Sequence, residues 1–326
     1  MGKKIFSGVQ PTGNLHLGNY LGAIKNFVEL SKDNKNQCIF CVVDLHSITT
    51  KQDPKKLRDN INETVASFIA SGIDPKKNII FNQSRVPAHS EAAWILSCVA
   101  RMGWLNRMTQ FKEKASSFGT HSGLLTYPIL MAADILIHKA NEVPVGDDQT
   151  QHLELTRNIA ERFNNNYGEI IPIPEKTSGK YGARLMSLRH PENKMSKSSD
   201  DINGTIYFND EKDIILKKFK SSVTDSENIV KYDPKNKPGI SNLIEIYAAV
   251  NDKEISETEK EFENAQYGEF KIAVAETVID YLDPIKKNFD DLTGDNLDDI
   301  VVSNLKSAKD SAQKTIIEVE EALGIS

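Results

Sequence analysis

Long apolar runs are missing from this 326-residue chain. No stretch approaches the ~20 residues that a membrane-spanning helix requires. Met1-Gly2-Lys3-Lys4 leads directly into strand-like Ile5-Phe6 with no signal-type apolar region, so a cytoplasmic protein with no membrane partner is expected. Cysteine is scarce, with three in all. Cys38 and Cys41 have the spacing of a metal or redox pair, but they sit in the strand-like run 38–43. A separation of three places them on opposite faces of a strand, and no second ligand pair accompanies them, so buried structural thiols and no metal site are expected. His46, His89, His121, His138, His152 and His190 likewise show no metal-ligand spacing, and His152, about one helical turn after Gln149, reads as a structural residue. No Ser/His/Asp signature or nucleophile elbow is present. Excess positive charge is absent too. The net charge is −6, so a nucleic-acid partner has to be met by local basic patches. Internal repeats and low-complexity tracts are not found.

What is present is an alternation of short strands and amphipathic helices. Ile5-Phe6-Ser7 reads as a first strand, a loop punctuated by Gly8, Pro11, Gly13 and Gly18 follows, and Leu21, Ile24, Phe27 and Val28 recur at helical spacing. The apolar run 38–43, closed by Asp44, suits a central parallel strand. Asp53 as N-cap, Pro54 at the first helical position and Gly72 as stop bound the next helix, with Leu57, Ile61, Val65, Phe68 and Ile69 on its apolar face. A third strand is expected at 78–81, helices over 91–107, 127–139 and 148–163, and a short strand at 143–146. The pattern predicts an α/β fold: a doubly wound parallel Rossmann-type sheet with a smaller C-terminal helical domain. Strand signals fade after about residue 185, and helices are expected over 211–220, 240–250, 256–264, 268–282 and about 295–323. The expected division is a catalytic domain 1–185, a helical domain 186–290 and a C-terminal helical segment 291–326. Ligands of such sheets bind beyond the carboxyl ends of the strands, which here carry Ser7, Gly8, Gln10, Asp44, His46 and Gln83.

Three local features carry chemistry. Residues 13–19 place glycines and His16 between a strand and a helix, where backbone N–H groups attract phosphate and an imidazole can donate to a phosphoryl oxygen. Lys194-Met195-Ser196-Lys197-Ser198 offers two lysines and two hydroxyls to a departing pyrophosphate. Asp134 is the only charged residue between Ser122 and Ile137. An unpaired buried carboxylate is costly, so Asp134 requires a cap, a cation or a ligand. Tyr127, Met131, Asp134 and His138 fall near one helix face, and an apolar pocket with one carboxylate suits an aromatic ligand bearing a single N–H.

The two phosphate-type motifs together resemble the signatures of class I aminoacyl-tRNA synthetases. His16-Leu17-Gly18-Asn19 is similar to their His-x-Gly-His, with Asn in the last place, and residues 194–198 match their lysine signature in full. The stretches beginning at Phe6, Met108, Tyr127, Val143 and Ser221 resemble the bacterial tryptophanyl members of that class. The resemblance implies adenylation: the carboxylate of L-tryptophan attacks the α-phosphorus of ATP, magnesium pyrophosphate leaves, and the amino acid is passed to the 3′ end of tRNA(Trp). It implies that His16, Lys194, Lys197 and Ser198 hold the phosphates. ATP is expected against Gln10, Pro11, Thr12, Gly18 and Asn19, beside Gln110 and Lys114, with its ribose near Gly146, Asp147 and Asp148. Leu185, Met195 and Ser196 complete that expected set. Phe6, Val143 and Val145 are implied to line the indole pocket, Asp134 to accept the indole N–H, and Ser7, Gln10, Tyr127 and Gln149 to fix the polar end of the amino acid; His46 and Met131 are further candidates for the tryptophan site.

Mg2+ is implied as the partner of ATP, and a homodimer is implied as the assembly, with the apolar helix around Trp94 as a candidate dimer face. Lys212, Lys217, Lys218 and Lys220, with Lys306, Lys309 and Lys314, are candidate tRNA contacts. The alternatives are a tyrosyl-tRNA synthetase, a smaller nucleotidyltransferase sharing the first motif, and a non-enzymatic tRNA-binding paralogue. The helical second half and intact lysine loop argue against the nucleotidyltransferase, and intact His16, Lys194 and Lys197 argue against the paralogue. A site built to satisfy a buried polar group rejects analogues that cannot pair with it, so discrimination against phenylalanine requires no editing domain.

Overall fold

Five parallel strands form one sheet in the computed structural model: β1 (Lys4–Val9), β2 (Gln37–Val42), β3 (Ile79–Asn82), β4 (Glu142–Pro144) and β5 (Glu175–Thr177), in the order β3-β2-β1-β4-β5. The structure describes residues 2–13, 15–112, 121–177, 185–196, 201–292 and 295–325, the side chains of Asp147, Asp295 and Asn296 excepted. The strand order reverses at β1, so the crevice for a ligand lies beyond the carboxyl ends of β1 and β4. The expected parallel sheet is observed. The edge strand β5 was not anticipated, because Glu175-Lys176-Thr177 is a three-residue polar run with no apolar alternation.

The sequence punctuation explains the helices. Asp53 caps Pro54–Ala70 by accepting from the Lys56 N–H at 2.8 Å, and Gly72 ends it with φ +108°. Cys38 and Cys41 are buried on β2. Cys41 joins the core with Ile39 and Phe81, and burial pushes both thiols up, Cys38 to about 11. The helix expected over 91–107 is two pieces, Ala88–Val99 and Met102–Leu105, parted by Ala100 in an extended conformation. Apolar Ser122–Leu136 follows, capped by the His121 side chain, and then Thr150–Tyr167.

The chain forms two compact units. The first holds residues 1–13, 29–179 and 293–326, and the second 14–28 and 180–292. This differs from the division by sequence at 185/186 and 290/291 in two respects. The signature turn at 14–28 belongs with the helical second unit, and the last helix, Asp295–Leu323, belongs with the sheet. That helix buries Leu305, Ala308, Ala312, Ile316 and Val319 in the core of the first unit. Asn304 on it accepts from the Ile80 N–H at 3.1 Å, satisfying a donor of the edge strand β3. The second unit is helical, with Lys212–Lys220, Pro238–Asn251, Ile255–Glu261 and Tyr267–Asp290 close to the helices expected there. Among the described residues no helix is long and apolar enough to cross a membrane.

Candidate active site

In the first unit the site is built around Asp134, which is 1% exposed. Its apolar helix packs against the helices Ala88–Val99 and Thr150–Tyr167, and the partners of the buried carboxylate come from elsewhere in the chain. Oδ1 accepts from Gln83 Nε2 at 2.6 Å and from His89 Nδ1 at 2.6 Å, and Oδ2 accepts from His46 Nε2 at 3.0 Å. Gln83 is itself fixed, since its carbonyl accepts from the Leu45 N–H at 3.1 Å. Burial alone would push the Asp134 carboxyl up. The hydrogen bonds and charge of His46 and His89 outweigh it and hold the group at about 2. An ionised carboxylate offers about four acceptor positions. Three are taken by described residues, and one on Oδ2 remains.

The histidines form a chain behind that carboxylate. His89 Nε2 lies 3.4 Å from His138 Nε2, and His138 Nδ1 lies 3.2 Å from Ser311 Oγ on the last helix. Lys4 Nζ reaches the same hydroxyl at 3.4 Å. Burial, aided by His89 and Lys4 and opposed by Asp134, pushes His138 well below its ordinary 6.5, so it is neutral at pH 7. His89 donates through Nδ1 to Asp134, and the chain of contacts runs on from His89 through His138 to Ser311.

The remaining predicted residues of this unit divide into a buried set and a rim. Phe6 is buried and stacks on His138 at 5.7 Å. Val143 is buried, while Val145 and Met131 are partly buried against the same core. Ser7 is 2% exposed, and its hydroxyl has no hydrogen-bond partner among the described residues. Tyr127 sets its ring edge-on to His46. Its hydroxyl lies 2.9 Å from His152 Nε2 and donates to Gln110 Oε1 at 3.2 Å. Gln149 is half-buried and donates to Asp148 at 2.8 Å, and Gly146 and Asp148 are exposed. Gln10 and Thr12 are exposed and Pro11 buried at the end of β1.

In the second unit His16 caps the short helix Leu17–Asn19 reciprocally. Its Nδ1 accepts from the Asn19 N–H at 3.3 Å, and Asn19 Oδ1 accepts from the His16 N–H at 3.3 Å. Because Nδ1 is an acceptor, Nε2 bears the proton, the state required of a phosphate donor. Asn19, where the family signature has a second His, thus closes the capping box. A Cβ on Gly18 would stand 3.0 Å from the His16 ring, which explains glycine there. The lysine segment is held as a hairpin-like pair. Met186 bridges Lys194, Met195 N–H donates to the Leu185 carbonyl at 2.9 Å, and buried Asn242 clamps Met186 with two 2.9 Å bonds. Leu185 and Met195 are buried and Lys194 is exposed. Lys114, Lys197 and Ser198 lie outside the described residues, as does the side chain of Asp147. Sequence reasoning missed His89. The demand for a partner to Asp134 was legible, but a residue 45 positions away leaves no periodic trace.

A family model for class I tRNA synthetases (W and Y) matches residues 3–283. The tryptophan–tRNA ligase of Oceanobacillus iheyensis is 50% identical over 325 residues, 99% of this chain and 99% of its own length. That of Bacillus subtilis is 49% identical over 100% of this chain and 98% of its own. The crystal structure of tryptophanyl-tRNA synthetase from Mycoplasma pneumoniae aligns with TM-score 0.91 at 33% identity, covering 100% of this chain and 99% of that one. The Campylobacter jejuni enzyme complexed with ADP and tryptophan aligns at 0.82 and 34%, covering 98% and 99%.

Proposed function

The chain belongs to the class I tRNA synthetases of the tryptophan and tyrosine branch, and from that premise we infer that it is a tryptophan–tRNA ligase. It activates L-tryptophan with ATP to tryptophanyl-adenylate and pyrophosphate, and passes tryptophan to the 3′ end of tRNA(Trp). The observation that carries the amino-acid choice is Asp134: a fully buried carboxylate, held ionised by Gln83, His46 and His89, with one acceptor position remaining among the described residues. The indole N–H is the donor that fills it. A buried acceptor left unpaired is expensive, so phenylalanine, which has no N–H, and tyrosine, whose hydroxyl lies elsewhere, are rejected.

Phe6, Met131, Val143 and Val145 hold the ring and His46 orients the carboxylate, while Ser7, Tyr127 and Gln149 take the ammonium and carboxylate ends of the substrate. ATP enters as its magnesium complex. The ion is part of the substrate, and among the described residues no group of three His, Cys, Asp or Glu could hold a metal. Gln10, Pro11, Thr12, Gly18, Asn19, Gln110, Lys114, Gly146 to Asp148, Leu185, Met195 and Ser196 are assigned to ATP. His16 donates from Nε2 to a phosphoryl oxygen, and Lys194, Lys197 and Ser198 neutralise the leaving pyrophosphate. Catalysis consists of positioning and charge stabilisation, with no covalent enzyme intermediate.

ATP–pyrophosphate exchange with each amino acid in turn tests this reading. Exchange with tryptophan alone is expected. Exchange driven by tyrosine, with none by tryptophan, overturns it in favour of the tyrosyl reading. The functional unit is proposed to be a homodimer in the cytoplasm. Trp94, 73% exposed on the helix Ala88–Val99, lies on the proposed dimer face.

A further inference from the structure

The second unit carries a four-residue stretch, Thr205-Ile206-Tyr207-Phe208, that none of the chemistry above uses. Thr205 is fully buried, and its hydroxyl donates to the Ser196 carbonyl at 3.1 Å. The Ile206 carbonyl accepts from the Leu17 N–H at 2.9 Å, Tyr207 pairs with His16 in an antiparallel bridge, and Phe208 N–H donates to the Leu15 carbonyl at 2.8 Å. One short stretch therefore bonds to the backbone of both signature segments, which lie far apart in sequence. A buried cation fixes it in turn. Lys218, 4% exposed, donates to the Thr205 carbonyl at 2.8 Å, pairs with Asp210 at 2.6 Å, and stands 4.9 Å from the centre of the Tyr207 ring. Asp210 also accepts from the Tyr207 N–H at 2.9 Å. Burying an ammonium is costly unless it is fully paired. Here its partners are the stretch itself and the turn that ends it. This corrects the expectation that Lys218 is a candidate tRNA contact, since its charged end is turned inward.

We propose that residues 205–208 are a strap that holds the His16 turn and the Lys194–Ser196 segment in one register, and that Lys218 is the positioning residue that locks it. The inference rests on reading those two segments as the phosphate-binding parts of an adenylating enzyme. Such groups act only when both are held near their transition-state positions, and misplacement by about 1 Å costs about a hundredfold in rate. The bonds described for the strap go to the two phosphate-binding segments and to the Lys218–Asp210 pair, which predicts a split in the kinetics.

Thr205→Val is the sharpest probe, because it removes one hydroxyl and keeps the shape. In ATP–pyrophosphate exchange it is expected to lower kcat about tenfold and raise the KM for ATP, with the KM for tryptophan within about twofold of wild type. The double variant Lys218→Met/Asp210→Asn, which strands no buried charge, is expected to show the same split more strongly. Wild-type kinetics in a folded Thr205→Val protein overturn the strap, as does a rise in the tryptophan KM equal to that for ATP. If the double variant fails to fold, Thr205→Val decides alone. Wild-type protein without tryptophan-dependent exchange sinks the functional reading itself and, with it, the role given to the strap.

Discussion

The imidazole of His89 gives Asp134 one of its two shortest bonds, at 2.6 Å. Replacing it tests how far the carboxylate depends on being held. His89→Leu removes a donor from a buried carboxylate, a change worth about 1–3 kcal/mol or more, and is expected to raise the tryptophan KM about tenfold or more with kcat little changed. His89→Asn keeps a donor near the Nδ1 position and is expected to recover most of that loss. Steady-state exchange kinetics on the pair check the ordering, and equal loss in both variants contradicts it. His138 gives a pH prediction. Its folded-state pKa lies well below 6.5, so on acidification the unfolded chain takes up a proton that the native chain refuses. Its contribution to stability therefore declines as pH falls through 6.5. Asp134, held at about 2 against an ordinary 3.8, loses its contribution only at lower pH, because there the unfolded carboxyl protonates first. Thermal melts between pH 7 and 5 are expected to show a falling Tm whose slope is shallower in His138→Gln. An unchanged slope rules out the assignment.

The last helix links the scale of residues to that of elements. It was expected as a separate terminal segment, since a charge-rich helix at a chain end reads the same whether it stands alone or covers a sheet edge. Its apolar stripe, Leu305, Ala308, Ala312, Ile316 and Val319, lies in the core of the first unit. Ile316→Ala is expected to cost about 2–5 kcal/mol in chemical denaturation. Asn304→Ala, which leaves the Ile80 N–H without its side-chain acceptor, is expected to cost about 1–3 kcal/mol. The helix also carries Ser311, the hydroxyl beside His138, so Ser311→Ala, which deletes no core group, is expected to raise the tryptophan KM. The helix expected over 91–107 breaks at Ala100 and Arg101 for a different reason: both are extended, a short second helix begins at Met102, and alanine carries no stop signal to mark the break.

At the scale of the whole molecule, the proposed function assigns the choice of amino acid to Asp134 and the phosphate contacts to the His16 turn and the lysine segment. The proposed dimer is tested by Trp94→Lys, which places a charge on the most exposed large apolar side chain of the described residues. Sedimentation is expected to show a larger monomer fraction, and an unchanged dimer would remove this face from consideration.

The sequence by itself determined the alternation of strands and helices, because apolar periodicity and capping residues are local. It also determined the reaction class, because both signatures are contiguous strings, and it marked Asp134, because a lone carboxylate in an apolar run demands a partner. Tertiary structure decided what those local features could not encode. It chose the three donors to Asp134, which come from residues 46, 83 and 89 through packing of separate elements. It placed the signature turn with the second unit and the last helix with the first. It also turned Lys218 from a surface charge into a buried lock, because a side chain's direction depends on which neighbours close over it, and those neighbours are distant in the chain.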